Sequence, residues 1–217
     1  MPAAYCLFVS SFPLATIMIS PPRPATSIRH YLNCQLGQAL SETDSLPFAT
    51  VQVSFGKGEI ITGYGQTERY AYFLNQGIVQ VSLIGTGEEK ILDFFLAGEF
   101  FCAYTSFLSQ LPTDVELLTL TPCVVERISR QELLAAYSTS LLANQLGRIV
   151  TEQLYLRKVK REKDFLNKSV EERYADLLAR QPLLIQLLAV DKIARYLGIH
   201  PNSLSRIRRK VHVPDVR

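Results

Sequence analysis

The sequence has few of the residues that build metal, redox and nucleophilic sites. Among 217 residues it contains four cysteines and three histidines, and no histidine lies between residues 45 and 128. The cysteines are 28, 68 and 21 residues apart, which is not the spacing of a zinc site or a redox motif. These absences exclude a histidine-rich metalloenzyme on a cupin-like barrel and a histidine-activated cysteine nucleophile. We expect no catalysis, no bound metal, and cysteines that are reduced and buried.

Long apolar runs are also scarce, which argues against a membrane-spanning helix. The exception is the segment 3–19, but Pro13 interrupts it and the first basic residue is Arg23. An export signal begins with positively charged residues, which this segment lacks. We therefore keep an export signal only as the alternative interpretation. We interpret residues 1–27 as a non-essential extension, with Met18 as a candidate start, and expect a cytoplasmic protein with no membrane partner.

Charge is distributed unevenly along the chain, although the formal total is only +3. Residues 1–146 carry 7 basic and 12 acidic side chains, a balance of −5. Residues 147–217 carry 16 basic and 8 acidic side chains, a balance of +8. This asymmetry predicts two modules, of which the second binds a polyanion. The alternative is an ordinary solvated basic surface.

Residues 45–128 alternate short apolar runs with glycine-bearing turns. The runs include ATVQVSF, YAYFLN and GIVQVSLI, and the turns lie at 56–58, 63–65, 75–77 and 85–87. Strands of this length, with turns about every ten residues, are typical of an antiparallel β-sandwich or barrel.

The pattern becomes helical from Ser129, which forms a capping box with Glu132. A long helix is predicted over about 140–166, where Leu142, Ile149 and Leu156 repeat every seven residues. This seam favours pairing with a second copy of the helix, and the alternative is docking on the chain's own β module. A second capping box, Ser169 with Glu172, opens another helix, which Pro182 ends.

Residues 190–210, VDKIARYLGIHPNSLSRIRRK, have the pattern of a helix-turn-helix. Gly198 ends the first helix and Pro201 begins the second. The two helices are expected to pack through five apolar residues: Ala194, Leu197, Ile199, Leu204 and Ile207. The second helix would then be free to enter a major groove.

The charge of this segment supports DNA binding, because 192–210 contains six basic residues and no acidic one. Arg206 has the planar fork that reads guanine, and base contacts are also predicted for Asn202, Ser203 and Ser205. Phosphate contacts are predicted for Arg195, Arg208, Arg209 and Lys210. The alternative is a solvated helical hairpin.

The segment YLGIHPNSLSRIRRK closely resembles the reading head of the CRP/FNR superfamily, in particular its short Bacteroidetes-type branch. The resemblance extends back through KSVEERYADLLARQP and ERYAYFLNQGIVQV to FGKGEI, and covers about residues 28–210. It implies an α+β fold with a jelly-roll-like antiparallel β-roll over 28–138. It further implies a dimerisation helix over 139–166 and a winged helix-turn-helix over 167–217, with the wing shortened or absent.

The resemblance implies a homodimeric bacterial transcription regulator that reads a palindromic operator, with RNA polymerase as a further partner. The family's base-reading arginine falls at Arg206. The acidic residue that often precedes that arginine by four positions is Asn202 here, so base preference at that position is expected to differ. The alternative function is a β-roll adaptor that senses a ligand or binds proteins without reading DNA sequence.

Relatives that bind cyclic AMP carry a phosphate-binding cassette, and the candidate effector pocket is placed by comparison with it. Gly98 and Glu99 match its opening, whereas Ala103 replaces the ribose-binding glutamate. Thr113 and Asp114 replace the arginine and the hydroxyl residue that hold the phosphate; Cys102 and Tyr104 complete the candidate pocket. A buried phosphate without a cation is costly, so cyclic AMP is not expected.

The other cofactors of the superfamily also lack support, so we predict none. The cysteines are too dispersed for an iron–sulfur cluster, and the histidines lie outside the β module. The apolar pocket wall leaves two alternatives: it holds a less charged effector, or its own side chains fill it.

Overall fold

The computed structural model describes residues 26–37, 40–41, 44–84 and 89–210. The expectations for residues 1–25, including the start at Met18, and for a wing after residue 210 lie outside these residues.

Within the described ranges, eight strands form two four-stranded antiparallel sheets, as the alternating pattern predicted. One sheet has the order β1-β8-β3-β6 and the other β2-β7-β4-β5. The strands are β1 (Val51–Phe55), β2 (Ile60–Thr62), β3 (Tyr70–Gln76), β4 (Ile78–Ile84), β5 (Glu89–Leu96), β6 (Phe100–Phe101), β7 (Val115–Thr119) and β8 (Cys123–Ser129). We call this double-sheet module the roll.

The core of the roll follows from the period of two along its strands. In β7 every second side chain is buried, beginning with Val115 and Leu117, and these meet aromatic side chains from the other sheet. The tight turn from β3 to β4 requires Gly77, whose φ is +106°. A Cβ there would overlap the Sγ of Cys123 and the carbonyl of Pro122.

Eight helices of the described chain surround and follow the roll. They are α1 (Ile28–Leu36), α2 (Tyr104–Ser109), α3 (Arg130–Thr139), α4 (Leu141–Asn167), α5 (Val170–Arg180), α6 (Pro182–Leu187), α7 (Val190–Leu197) and α8 (Pro201–Lys210). The α+β order predicted from the sequence is confirmed.

Side-chain caps set the helix boundaries where the sequence placed them. Ser129 accepts a hydrogen bond from the N–H of Glu132, and Ser169 with Glu172 forms the complete capping box. In the part of the chain that the structure describes, no helix is both long enough and apolar enough to cross a bilayer. The expectation of buried cysteines is confirmed for Cys123 but wrong for Cys34, which is exposed on α1.

Candidate functional site

Helices α7 and α8 form the predicted helix-turn-helix. Gly198 has φ +72°, and the N–H of Ile199 returns to the carbonyl of Ala194 at 3.0 Å, which closes α7. Five side chains between the helices are buried: Ile193, Ala194, Leu197, Leu204 and Ile207. This apolar contact fixes α8 relative to α7.

The outer face of α8 presents the four predicted base-reading residues together. Asn202, Ser203, Ser205 and Arg206 are all exposed. The Arg206 side chain forms no ion pair or hydrogen bond with any residue that the structure describes. Because Leu204 and Ile207 hold the opposite face, these four side chains are available to a groove.

The predicted phosphate contacts fall into three groups. Arg209 and Lys210 are exposed at the end of α8. Arg195 is paired with Asp191 at 3.1 Å on α7. Arg208 instead turns inward: its Nε donates to the Tyr174 hydroxyl and one Nη to the carbonyl of Ile185, both at 3.2 Å. Arg208 lies at the edge of the buried face of α8, where it can form these hydrogen bonds with α5 and α6.

The helix-turn-helix is docked on the roll of the same chain. Lys192 of α7 pairs with Glu89 of β5 at 3.2 Å. Arg161 of α4 donates to the carbonyl of Tyr196 at 3.0 Å and lies over its ring at 4.0 Å from the centroid. One apolar cluster joins Ile91 and Phe94 of β5 to the buried faces of α5 to α8. Nothing in the sequence pattern indicated these contacts.

The ion pair of Lys192 shifts the titration of its partner. Burial alone would raise the pKa of Glu89, but the charge of Lys192 and hydrogen bonds from neighbouring side chains outweigh burial and hold that pKa below its ordinary value. Glu89 therefore prefers its charged form at neutral pH.

The opening of the cassette is occupied by a structural ion pair. Glu99 accepts a hydrogen bond from the N–H of Leu96 at 2.7 Å and another from Arg157 of α4 at 2.9 Å. Arg157 also pairs with Asp93 at 2.7 Å. Burial by itself would lower the pKa of Arg157, but the two nearby carboxylates outweigh burial and raise that pKa. The sequence did not single out Arg157, because it lies 58 residues from Glu99.

The seven candidate pocket residues do not line one cavity. Ala103 and Thr113 are buried within the roll, and the Thr113 hydroxyl is bonded to the backbone of Val115. Asp114 is exposed. Gly98 and Glu99 face Arg157, whereas Cys102 and Tyr104 line a separate cavity between α2, α3 and α4.

Aromatic side chains fill the interior of the roll. Tyr72 stacks on Phe101 with ring centroids 5.2 Å apart, and Phe95 lies 5.7 Å from Phe101. Leu154 of α4 packs against the same cluster. Aromatic rings thus pack against one another inside the roll, and a cavity lies outside it. The choice between an effector and self-filling stays a prediction.

A buried carboxylate that sequence reasoning missed ties α2 to the roll. Glu68 is 1% exposed and accepts hydrogen bonds from the Thr62 hydroxyl at 2.8 Å and from the N–H of Ala103 at 3.3 Å. Its own N–H donates to Ser106 at 3.0 Å. Its polar neighbours are contributed by separate strands and by α2, so no local pattern revealed them.

The predicted dimer seam is partly occupied within the chain. Leu142 and Ile149 are half-buried, and Leu146 is buried against the roll. Leu156 is 63% exposed, beside Tyr155 at 65% and ahead of Leu166 at 77%. Docking on the β module therefore describes the first half of α4, whereas its second half exposes apolar side chains.

Comparison with known proteins agrees with this architecture. Residues 52–140 match the family model of the cyclic nucleotide-binding domain. Among solved structures, FixK2 from Bradyrhizobium japonicum is similar with TM-score 0.63 and 21% identity, over 76% of this chain and 85% of that chain. A putative transcriptional regulator of the CRP/FNR family from Eubacterium rectale has TM-score 0.62 and 14% identity, over 74% and 77%.

A third similar structure is the c-di-GMP responsive global regulator CLP from Xanthomonas campestris. Its TM-score is 0.60 at 19% identity, over 75% of this chain and 86% of that chain. A search of curated protein sequences gave no match. Residues 52–140 are therefore similar to the cyclic nucleotide-binding domain, and the described chain has the fold of the CRP/FNR regulators.

Proposed function

We propose that this protein is a DNA-binding transcription regulator that reads a palindromic operator as a homodimer. The observation that carries the proposal is the outer face of α8, where four polar residues are exposed together opposite a buried apolar face. A helix held in this way fits the major groove, which is about 12 Å wide. The CRP/FNR fold supports the same function.

Each residue of this face has a distinct role in the proposal. Arg206, with its unpaired guanidinium, reads guanine through O6 and N7. Asn202 and Ser203 at the start of α8, and Ser205 one turn later, contact base edges or adjacent phosphates. Arg209 and Lys210 bind phosphates, and Arg195 of α7 supplies a further phosphate contact. Arg208 stabilises the reading head instead, because its guanidinium is engaged by Tyr174 and Ile185.

The second half of α4 supplies the dimer contact in this proposal. Its exposed Tyr155, Leu156 and Leu166 would be covered by the same side chains of a second copy. The two helix-turn-helix modules of such a two-fold dimer read DNA half-sites about one helical turn apart.

Helix α4 also connects the roll to the reading head. Arg157 binds Asp93 and Glu99 of the roll, and one turn later Arg161 binds the carbonyl of Tyr196 in α7. A displacement of α4 on the roll would therefore reach α7 directly. We infer that an effector acts through this helix, and that cyclic AMP in the usual mode is not that effector because aromatic side chains fill the roll.

Selection of bound fragments from random DNA tests this function. The wild type should enrich a palindrome, Arg206→Ala should lose preference at one base pair of each half-site, and the control Arg69→Ala should match the wild type. Arg69 is an exposed arginine on the roll, remote in sequence from the reading head. Absence of an enriched sequence with the wild type, together with salt-insensitive binding, would favour the adaptor function instead.

A titration with cyclic AMP and cyclic GMP tests the effector inference. Calorimetry should show no saturable heat with either nucleotide. Micromolar binding of one of them would show that the roll opens to admit it, and would contradict the inference drawn from its aromatic filling.

A further inference from the structure

A cavity of about 390 Å³ lies outside the roll, between α2, α3 and α4. Its volume is within the range of small-molecule sites, about 300–1,000 Å³. Phe101 of the aromatic stack separates it from the interior of the roll, which Tyr72 and Phe95 fill. The cavity therefore lies outside the interior of the roll, and of the seven candidate pocket residues it includes Cys102 and Tyr104.

The walls of this cavity are mainly apolar. Phe100 comes from β6, Phe107 from α2, Leu133 from α3, and Val150 and Leu154 from α4. Two further leucines, Leu108 and Leu134, also line it although they are 56% and 45% exposed. A ligand with a large apolar body would cover these two side chains.

The charged residues that line the cavity are both positive. Arg130 donates through Nε to the carbonyl of Phe107 at 2.9 Å, and Arg148 forms a long pair of 3.7 Å with the exposed Glu152. Among the described residues that line the cavity there is no aspartate or glutamate. A ligand that carries one negative charge complements this wall, whereas a cation does not.

An unpartnered hydroxyl adds a hydrogen-bonding group to the same cavity. The Tyr137 hydroxyl has no hydrogen-bond partner among the described residues, and burial raises the pKa of this tyrosine, helped by Tyr104 and Cys102. Gly147 makes room for it, because a Cβ on Gly147 would overlap the hydroxyl oxygen. The Tyr104 hydroxyl, by contrast, lies 3.3 Å from the hydroxyl of Thr151.

We propose that this cavity binds an amphipathic carboxylate, specifically a medium-chain fatty acid. The acyl chain lies against the phenylalanine and leucine walls, and the carboxylate accepts hydrogen bonds from Arg148 and the Tyr137 hydroxyl. A nucleotide is a poor fit because the walls offer few partners for a ribose or a base. A role for this site in regulation rests on the proposed function, since α4 forms one wall and continues to Arg157 and Arg161.

The test is calorimetry of the full-length protein with decanoate, below its micelle concentration and without DNA. Omitting DNA separates this result from the test of DNA reading. We expect saturable binding of one decanoate per chain and weaker binding of decanol, which has the same chain without the charge. Arg148→Gln and Tyr137→Phe should each weaken decanoate binding about three- to fivefold.

Two further variants separate binding inside the cavity from a general attraction of decanoate to the basic helix. Lys158→Gln removes an exposed positive charge from the same helix outside the cavity, and should bind decanoate like the wild type. Thr151→Trp should block the cavity from an exposed position and abolish binding, with an unchanged melting temperature.

The proposal would be overturned by no saturable binding to the wild type, by an equal loss with Lys158→Gln and Arg148→Gln, or by undiminished binding to Thr151→Trp. The proposal would also be contradicted if the wild type does not bind decanoate and Thr151→Trp converts a dimer to monomers. That result would show that a second copy of the chain covers the cavity.

Discussion

The guanidinium of Arg157 lies 2.7 Å from the carboxylate of Asp93 and 2.9 Å from that of Glu99. It also lies over the ring of Phe95, 4.8 Å from the centroid. These contacts attach α4 to β5 and to the first turn of the cassette. A helix that the sequence marks only as amphipathic and basic is thereby held against the roll at one defined position.

Arg157→Met should destabilise the protein by about 2–3 kcal/mol, because it leaves two half-buried carboxylates without their cation. Urea unfolding measures this loss. As a control, Arg148→Met removes an exposed pair and should change the free energy of unfolding by less than about 0.5 kcal/mol. Equal effects of the two substitutions would show that the Arg157 contacts contribute no more than a surface pair.

Lys192→Met should reduce stability by about 1 kcal/mol at neutral pH, because it removes the partner of Glu89. The pKa of Glu89 is lowered in the folded protein, so its contribution is present above the pKa of the unfolded chain and is lost as pH falls through the lowered value. The stability difference between wild type and variant should therefore vanish in acid. Urea titrations from neutral pH downward measure it, and a difference that persists or grows in acid would contradict the assigned pair.

Gly77→Ala should cost about 3 kcal/mol, because the new Cβ combines a positive φ with overlap of Cys123 and Pro122. Gly58 provides a matched control: its φ is +82°, but a Cβ there would meet nothing within 4 Å. Gly58→Ala should therefore cost only about 1 kcal/mol. Thermal or urea unfolding compares the two. Similar losses of stability in the two variants would mean that the β3–β4 turn shifts to accommodate the added methyl group.

Leu156→Glu should weaken self-association at least about tenfold, which corresponds to about 1.4 kcal/mol. The reason is that a charge would enter the proposed seam between two copies of α4. Sedimentation equilibrium measures the change. The control Leu187→Glu alters a leucine of similar exposure, 62% against 63%, on α6. If both variants associate like the wild type, the dimer contact lies elsewhere.

Arg208→Met and Arg209→Met should separate stability from DNA binding. Arg208→Met should lower the free energy of unfolding by about 1–2 kcal/mol, because the Tyr174 hydroxyl and the Ile185 carbonyl lose their donor. Arg209→Met should leave stability unchanged and reduce the salt slope of DNA binding by about 1.8, which is about 0.9 for each of the two subunits. Binding isotherms at several salt concentrations measure the slope. A loss of slope with Arg208→Met alone would place Arg208 on the phosphates.

The parts of this fold that sequence predicted well are those whose interactions are local. The capping of α5 by Ser169 and Glu172 involves residues three apart, and the closure of α7 at Gly198 involves its own last turn. The contact between α7 and α8 is equally local, since the buried residues of these two helices lie between Ile193 and Ile207.

Other features depend on contacts between residues distant in sequence, and no periodic pattern along the chain indicated them. Glu68 is bonded to Ala103 and Ser106, which approach it only when α2 folds onto the roll. The cassette residues Glu99 and Cys102 are three apart, yet they line different cavities, of which the first also includes Arg157 of α4 and the second Thr151 of α4.

The sequence by itself determined the order of the modules, the separation of acidic and basic charge, and the outward face of the reading helix, because each depends on spacing within a short segment. Only the tertiary structure decided that Arg208 points inward, that α7 docks on β5, and that the open cavity lies outside the roll. Those outcomes depend on which apolar surfaces, distant in sequence, pack together and exclude water. The sequence pattern identifies the apolar residues but not their packing partners.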